Sequence, residues 1–243
     1  MIGGGFIQRE CDLQSKDNGF FCVKLDDSHI KKNDIYYKVY CNSQIMEIRK
    51  ATINDVDAIV KIHLDAFKGF FLTSLGSAFL KFYYSCFVCS NETVTMVAEE
   101  NDVIYGFSAS SKCCKGFNSR LIKSNLFAFG LLSLKLLFSR PSSLLRLVRN
   151  LTKKGDGVQD NEDYAELYSI GVSRTAQGKG VGKRLLAASE FVMKEEGVVY
   201  VSLTTDYDNN NQAVGFYNSM GYKTLYEFVT YPNRKMYRLI KKL

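Results

Sequence analysis

The run Gln177-Gly178-Lys179-Gly180-Val181-Gly182 has the residue types that could cradle a phosphate group. At the start of a helix the first N–H groups lack intrahelical partners and the macrodipole is positive, so an anion there gains hydrogen bonds and charge stabilisation together. Glycines remove the β-carbons that would keep a pyrophosphate away from those N–H groups. Lys179, Lys183 and Arg184 add positive charge nearby. The flanking sequence supplies the elements that must hold such a turn. A strand-like run, Tyr164 to Val172, precedes it. After it, Val181, Leu185, Ala188, Val192 and Met193 recur at helical spacing, with Lys183, Arg184, Lys194 and Glu195 expected off that apolar stripe and Gly197 marking the end.

Two common nucleotide motifs are excluded by spacing. A P-loop needs four residues between its glycines followed by Gly-Lys-Ser/Thr, and a dinucleotide fingerprint needs G-x-G-x-x-G, whereas here the glycines fall at 178, 180 and 182. What remains is Q-x-x-G-x-G, from Gln177 through Gly180 to Gly182, after a strand ending at Val172. This resembles the acyl-CoA pyrophosphate loop of the GNAT superfamily of N-acyltransferases, against the plainer reading of a glycine-rich turn with a basic surface. The resemblance implies acetyl-CoA as acyl donor, held by Gln177, Gly178, Lys179, Gly180, Val181, Gly182 and Lys183. It implies no metal.

In that superfamily the acyl group passes directly from the thioester to an amine. Such a transfer needs a polarised thioester, an acceptor for the amine proton and a donor for the departing thiolate. The backbone of Ile170, Gly171 and Val172 is the expected thioester contact, with an N–H acting as an oxyanion hole does. Glu166, six residues before Val172, aligns with the base of histone-type members, and a carboxylate acting directly or through water can take the proton. Tyr164, Tyr168 and Asp206 compete for that role, and an outward-facing Glu166 in a salt bridge is the structural alternative. Asn210-x-x-Ala213-x-x-x-Tyr217-x-x-x-Gly221-Tyr222 resembles the family's final helix, whose tyrosine protonates the thiolate. An unperturbed phenol titrates near ~10 and a thiol near ~8.5, so Tyr217 can donate, unless it merely packs. Asn210 is expected to bind the pantetheine arm or to cap the helix.

The resemblance runs from about Met46 to the C-terminus and implies an α/β GNAT fold, a mixed sheet of about six or seven strands with helices on both faces. Residue patterns agree with the element order. Glu47 to Thr52 reads as a strand, Asn54 as the cap of a helix at Asn54-x-x-Asp57, and the run from Phe79 to Val88 as a second helix. Thr93 to Glu99 and Val103 to Ser110 form a hairpin pattern turning at Glu100-Asn101-Asp102. Val198 to Leu203 is a continuous apolar strand, covered on both faces. A helix near 210 to 219 and strands at Tyr222 to Thr230 and Lys235 to Ile240 close the chain.

Two segments depart from the minimal pattern. Residues 1–45 precede the first family strand and are read either as an extension, with β character in Phe20 to Leu25 and Ile35 to Tyr40, or as a disordered tail from an over-extended start. The rest, 46–243, is the acetyltransferase domain. It carries an insertion at 113–160. Between Lys112 and Lys154, both included, there are ten Lys or Arg and no Asp or Glu. Leu126 to Phe138 and Leu144 to Leu151 are apolar helical patterns parted by Arg140-Pro141. They are read as a helical pair over the sheet with a basic rim, with a lid over a phosphate-bearing acceptor or peripheral membrane contact through 113–154 as alternatives.

Composition sets outer bounds. A chain of 243 residues with 46% hydrophobic content can bury a large core, and the net charge of +7 fits an anionic partner, with coenzyme A, a nucleotide sugar, an acidic surface and nucleic acid all satisfying it equally. Nucleic acid is not expected, because aliphatic rather than stacking residues separate the basic ones in the insertion. No signal-peptide pattern and no apolar run of ~18 residues is present, which places the chain in the cytoplasm. Seven scattered cysteines suit a reducing compartment. Cys86-x-x-Cys89, in an apolar stretch, reads as core rather than half of a zinc site with Cys113-Cys114, and neither Cys86 nor Cys113 has a matching histidine for nucleophilic catalysis. His63 lies on the stripe Val56, Ile59, Val60, Phe67 and reads as a satisfied, partly buried histidine rather than a catalytic one.

For the acceptor, Phe70-Phe71-Leu72-Thr73-Ser74-Leu75-Gly76 with Phe79-Leu80 resembles a GNAT subgroup found with polysaccharide and amino-sugar genes. That implies Phe70, Phe71 and Thr73 as substrate contacts and an amine on an amino sugar, free or nucleotide-linked, as acceptor. A protein N-terminal acetyltransferase and a noncatalytic acyl-CoA-binding module are the alternatives.

Overall fold

The computed structural model describes residues 21–25, 36–40, 46–139, 160–230 and 233–243. Its strands are β1 (Phe21–Leu25), β2 (Tyr36–Tyr40), β3 (Glu47–Lys50), β4 (Thr93–Glu100), β5 (Val103–Ser111), β6 (Ala165–Val172), β7 (Tyr200–Asp206), β8 (Lys223–Thr230) and β9 (Arg234–Lys242). The helices are α1 (Val56–Ala66), α2 (Phe71–Ser74), α3 (Ser77–Cys89), α4 (Phe117–Ser124), α5 (Leu126–Ser139), α6 (Val181–Glu195) and α7 (Asn211–Ser219). The nine described strands form one sheet in the order β1-β2-β3-β4-β5-β6-β7-β9-β8, antiparallel except for the β6–β7 pair. The seven strands β3 to β9 make the mixed sheet expected from the sequence, and β1 and β2 extend its edge.

Local chemistry explains the breaks between elements. The β4–β5 hairpin turns through Asn101 and Asp102, both at positive φ (50° and 61°), which short polar side chains tolerate and which matches the strands' twist. Before α1, a short 3₁₀ turn (Ile53–Asp55) is closed by Thr52, whose N–H and hydroxyl both donate to Asp55 Oδ2 (2.7 and 2.9 Å). The expected cap at Asn54 is therefore displaced to Thr52, because the carboxylate needed to complete the box stands at 55. Arg49 clamps that carboxylate with two bonds of 2.7 and 2.8 Å, tying the turn to β3.

The sheet separates two cores. On one face α6 covers Met96, Ala165, Leu167, Val201 and Leu203. On the other, α1 and α3 bury Ile59, Leu80, Tyr84 and Phe87 against Val97, Phe107 and Ala109. Helices thus lie on both faces. Two expectations shift. Arg184 is buried, not off the apolar stripe, its guanidinium reaching back over the turn to the Lys179 carbonyl and Met46 Sδ. Val199 and Tyr200 are about half exposed (53% and 40%), so full cover on β7 begins only at Val201. Of the cysteine pair, Cys86 is buried, whereas Cys89, the last residue of α3, is exposed. The apolar pattern at 144–151 lies outside the described residues.

His63 is fully buried rather than partly so, sharing a 2.7 Å hydrogen bond between Nδ1 and the Tyr84 hydroxyl, while Nε2 has no partner among the described residues. Burial pulls its pKa down to about 4. The unfolded chain then binds more protons between pH ~6.5 and about 4, so His63 lowers stability as pH falls through that window, by up to about 3 kcal/mol. Urea unfolding across the window should show this slope, and His63→Gln should flatten it; an unchanged slope would mean the imidazole reaches water.

Candidate active site

Strands β6 and β7 are neighbours for only part of their length. They pair in parallel at Ala165↔Val201, Glu166↔Ser202 and Leu167↔Leu203, and no pairing follows. Past that point β6 stays on β5 through Val172↔Gly106, and β7 stays on β9 through Asp206↔Met236. The two strands part, and each presents an unpaired edge to the gap. Ser173 N–H donates to the Tyr105 carbonyl of β5 (2.7 Å), and backbone groups alternate in direction along a strand. Gly171 therefore faces β5, and Ile170 and Val172 turn their N–H and C=O groups towards the gap. Such an edge can bind an extended, amide-bearing chain as a strand would.

Of the three residues expected at the thioester, Gly171 thus contributes no backbone group to the gap. Its glycine is required by packing. A Cβ there would lie 2.8 Å from the Phe107 ring and 3.3 Å from the Phe67 ring.

At the end of β6 the chain enters the glycine turn. Gly178 and Gly180 both take left-handed φ (77° and 74°), and space where their β-carbons would stand is open. Gly180 precedes the first residue of α6 and no side chain caps the helix, so its leading N–H groups point into that space. Gln177, Lys179 and Lys183 are exposed around it, whereas the Val181 side chain is buried and only its backbone can reach the turn. Gln177 Nε2 approaches the Val172 carbonyl at 3.4 Å, bracing turn against strand. The arrangement suits a pyrophosphate-sized anion. Alanine at Gly180 would meet no protein atom but would add strain of about 1 kcal/mol and fill the cradle. It should raise KM for a phosphate-bearing cosubstrate about tenfold with kcat preserved at saturation; an unchanged KM would place the anion elsewhere.

Glu166 lies where the strands still pair, and both its oxygens are engaged. Arg238 Nη1 on β9 donates to Oε1 (2.6 Å) and the Cys114 thiol donates to Oε2 (3.0 Å). Burial, then the neighbouring Glu166 charge, pushes the Cys114 thiol well above its ordinary range. The Tyr168 hydroxyl is buried beside Glu166, and burial followed by the Glu166 charge keeps it protonated. Tyr164 donates instead to Asp160 (2.6 Å), as does Tyr226 (3.0 Å), and the Arg238 guanidinium lies over the Tyr164 ring at 5.4 Å. Asp206 is held by Arg234. Cys114, Arg234 and Arg238 have no local sequence signal; strand register brings the two arginines to these carboxylates, and a 2.8 Å bond from the Cys114 N–H to the Tyr164 carbonyl holds Cys114 there.

Tyr217 sits on α7, half-buried between Phe216 and Tyr222 (ring centroids 5.0 and 5.7 Å), and burial raises its pKa to about 12. The Phe216 ring is 3.7 Å from the position of a Cβ on Gly182, placing α7 beside the glycine turn. Asn210 makes no helix-capping bond. Its amide donates to Thr205 Oγ1 (2.6 Å) and the Asp206 carbonyl (2.9 Å), fixing the end of β7.

The loop after α1 spans the mouth of the gap. Phe67 packs against Gly171 of β6, while Phe70 (43% exposed) lies under the Arg234 guanidinium at 5.3 Å, itself paired to Asp206 of β7. Phe71 packs into the core beneath α1, and the Thr73 hydroxyl donates to the Phe67 carbonyl (2.7 Å). Of the three expected acceptor contacts, Phe70 alone presents an exposed ring.

A strand pair that parts beside a glycine-lined helix start is matched by sequence comparison. The profile of the Acetyltransferase (GNAT) family aligns with residues 56–222, well over half of the chain. The chain belongs to the GNAT acetyltransferase family. Two curated relatives are similar over a shorter stretch: the mycothiol acetyltransferase of Kocuria rhizophila, 35% identical over 33% of this chain and 26% of that one, and the mycothiol acetyltransferase of Nocardiopsis dassonvillei, 37% identical over 28% and 20%. The chain thus spans about a quarter of the length of the curated relatives it matches. Among solved structures, the ribosomal-protein-S18-alanine N-acetyltransferase of Escherichia coli superposes with a TM-score of 0.52 at 14% identity, covering 82% of this chain and 94% of that one. A putative acetyltransferase of Salmonella typhimurium, determined with its cofactor acetyl-CoA, gives 0.51 at 16% identity over 82% and 94%. These structures share the fold. The family is one of acyltransferases that use acetyl-CoA, and the cradle at Gly178 and Gly180 is open to an anion the size of a diphosphate.

Proposed function

We propose that this GNAT protein transfers the acetyl group of acetyl-CoA directly to the primary amine of an amino sugar, free or nucleotide-linked. The observation that carries the reading is the gap between β6 and β7, bounded at one end by the glycine turn and bridged at its mouth by the loop of Phe67 and Phe70. The diphosphate binds the N–H groups of residues 178–182. The pantetheine arm lies along the open edges of β6 and β7, and the Ile170 N–H polarises the thioester carbonyl. The amine enters past Phe70, whose exposed ring offers a flat apolar face to a sugar, with Arg234 beside it for an anionic substituent. The amine's proton passes towards Glu166 through water, because both carboxylate oxygens are occupied. Tyr217 gives its proton to the departing thiolate.

The test is acetyl-CoA turnover with glucosamine, a nucleotide-linked amino sugar and a peptide bearing a free N-terminal alanine. Turnover on the sugars, lowered at least tenfold in KM terms by Phe70→Ala, supports the proposal. Turnover on the peptide alone would make the protein an N-terminal acetyltransferase, and acetyl-CoA binding without turnover on any amine would make it a noncatalytic binding module.

A further inference from the structure

Helix α5 (Leu126–Ser139) reads Leu-Phe-Ala-Phe-Gly-Leu-Leu-Ser-Leu-Lys-Leu-Leu-Phe-Ser, apolar around almost its whole circumference. A helix of that composition in water is normally enclosed. Here one side is covered, through Phe129, whose ring packs on Phe82 (4.9 Å) and Phe79 (6.3 Å) of α3. The other side carries Phe127, Leu131, Leu134 and Phe138, spaced i, i+4, i+7 and i+11, and these are 81%, 56%, 55% and 82% exposed. Four large apolar side chains in one helical stripe are a contact surface.

Charge selects what covers it. The stripe lies within the stretch from Lys112 to Lys154, which has ten Lys or Arg and no Asp or Glu. Lys115 and Lys123, exposed just before and on the preceding α4, are part of it. A second copy of this chain would bring like charge against like charge there. An anionic lipid surface matches both features, apolar acyl chains for the stripe and acidic headgroups for the basic residues. At 14 residues the helix is about 21 Å long, short of the ~30 Å hydrocarbon thickness, so it fits the plane of the interface rather than a crossing. Among the described residues no helix is long and apolar enough to cross a membrane. We infer that α5 docks in the headgroup layer of an anionic bilayer, holding the acetyltransferase at a lipid surface. The inference does not depend on the identity of the acceptor amine.

Co-sedimentation of the full chain with vesicles tests it. Binding to phosphatidylcholine vesicles containing about one third phosphatidylglycerol should exceed binding to pure phosphatidylcholine by about tenfold or more and should weaken at high salt. Phe127→Gln/Leu131→Gln/Phe138→Gln changes only exposed positions, so it should keep the circular dichroism and acetyl-CoA binding of the parent while losing vesicle binding. The inference is overturned if the parent stays in the supernatant with both vesicles, if it binds neutral and anionic vesicles alike, or if the triple variant sediments as the parent does. A parent that is dimeric in gel filtration and becomes monomeric in the variant would also overturn it, because a second copy would then be what covers the stripe.

Discussion

Methionine in place of Arg238 is expected to destabilise the protein by about 3 kcal/mol, because it leaves the Glu166 carboxylate ionised between strands with one of its two donors gone. The pair is enclosed, with side-chain exposures of 12% and 10%, so solvent screens it far less than a surface pair. Arg238 also spans two strands, bonding Glu166 of β6 at 2.6 Å and approaching Ser202 of β7 at 3.4 Å, which closes the base of the gap. Urea unfolding should show a lower midpoint with unchanged m, since the surface exposed on unfolding is the same. Glu166→Gln/Arg238→Met should recover much of the loss, because neither charge is then buried alone. A cost below about 1 kcal/mol for Arg238→Met would show that water reaches the carboxylate.

That pair also marks where the sequence stops being informative. Periodicity locates α1, α3, α6 and most strands to within a few residues, since each element's apolar period is a local property. The β4–β5 turn is legible because Asn101 and Asp102 tolerate the backbone that a two-residue hairpin requires. The glycine turn is legible for the same reason: Gly178 and Gly180 adopt φ values that other residues rarely take. What a side chain meets across the sheet is a different matter. Glu166 and Arg238 are 72 residues apart, joined only through the parallel pairing of β6 with β7 and the antiparallel pairing of β7 with β9. Nothing near either residue encodes that register. The sequence reading of Glu166 offered a catalytic base or an outward salt bridge; the structure shows a salt bridge that is enclosed and beside the gap.

The same limit applies to Arg184, Thr73 and Asn210, whose tertiary partners no local pattern encodes. Arg184 was expected off the apolar stripe, and the resemblance put Thr73 at the acceptor and Asn210 on the pantetheine arm or at the helix cap. Each also holds backbone in place: Arg184 reaches the Lys179 carbonyl, Thr73 the Phe67 carbonyl and Asn210 the Asp206 carbonyl. All three bonds fix chain segments that border the gap. The polar residues picked out in the sequence around this site therefore divide in two. Those exposed on the glycine turn and the first turn of α6, Lys179 and Lys183, remain available to a ligand, and those on or beside packed elements set the position of the groups that line it.

Phenylalanine in place of Tyr217 is expected to lower kcat about 100-fold, with KM for acetyl-CoA and the unfolding midpoint unchanged. The ring that packs between Phe216 and Tyr222 is kept and only the hydroxyl is lost. Burial lifts this phenol to about 12, well above the ~8.5 of an ordinary thiol, so it stays protonated at neutral pH and can hydrogen-bond the sulfur as charge builds on it, although complete proton transfer to a free thiolate is uphill. Removing a positioned general acid costs about 10² in rate, or about 2.7 kcal/mol of barrier. Tyr222→Phe is the matched control, since it removes a buried hydroxyl that interacts with Glu190 and leaves the ring packing intact. The two variants together separate proton donation from aromatic packing. A loss confined to Tyr217→Phe and appearing in kcat alone assigns the proton to that hydroxyl, equal losses in both variants assign the effect to the cluster, and full turnover in Tyr217→Phe means that the thiolate leaves unassisted or takes its proton from water.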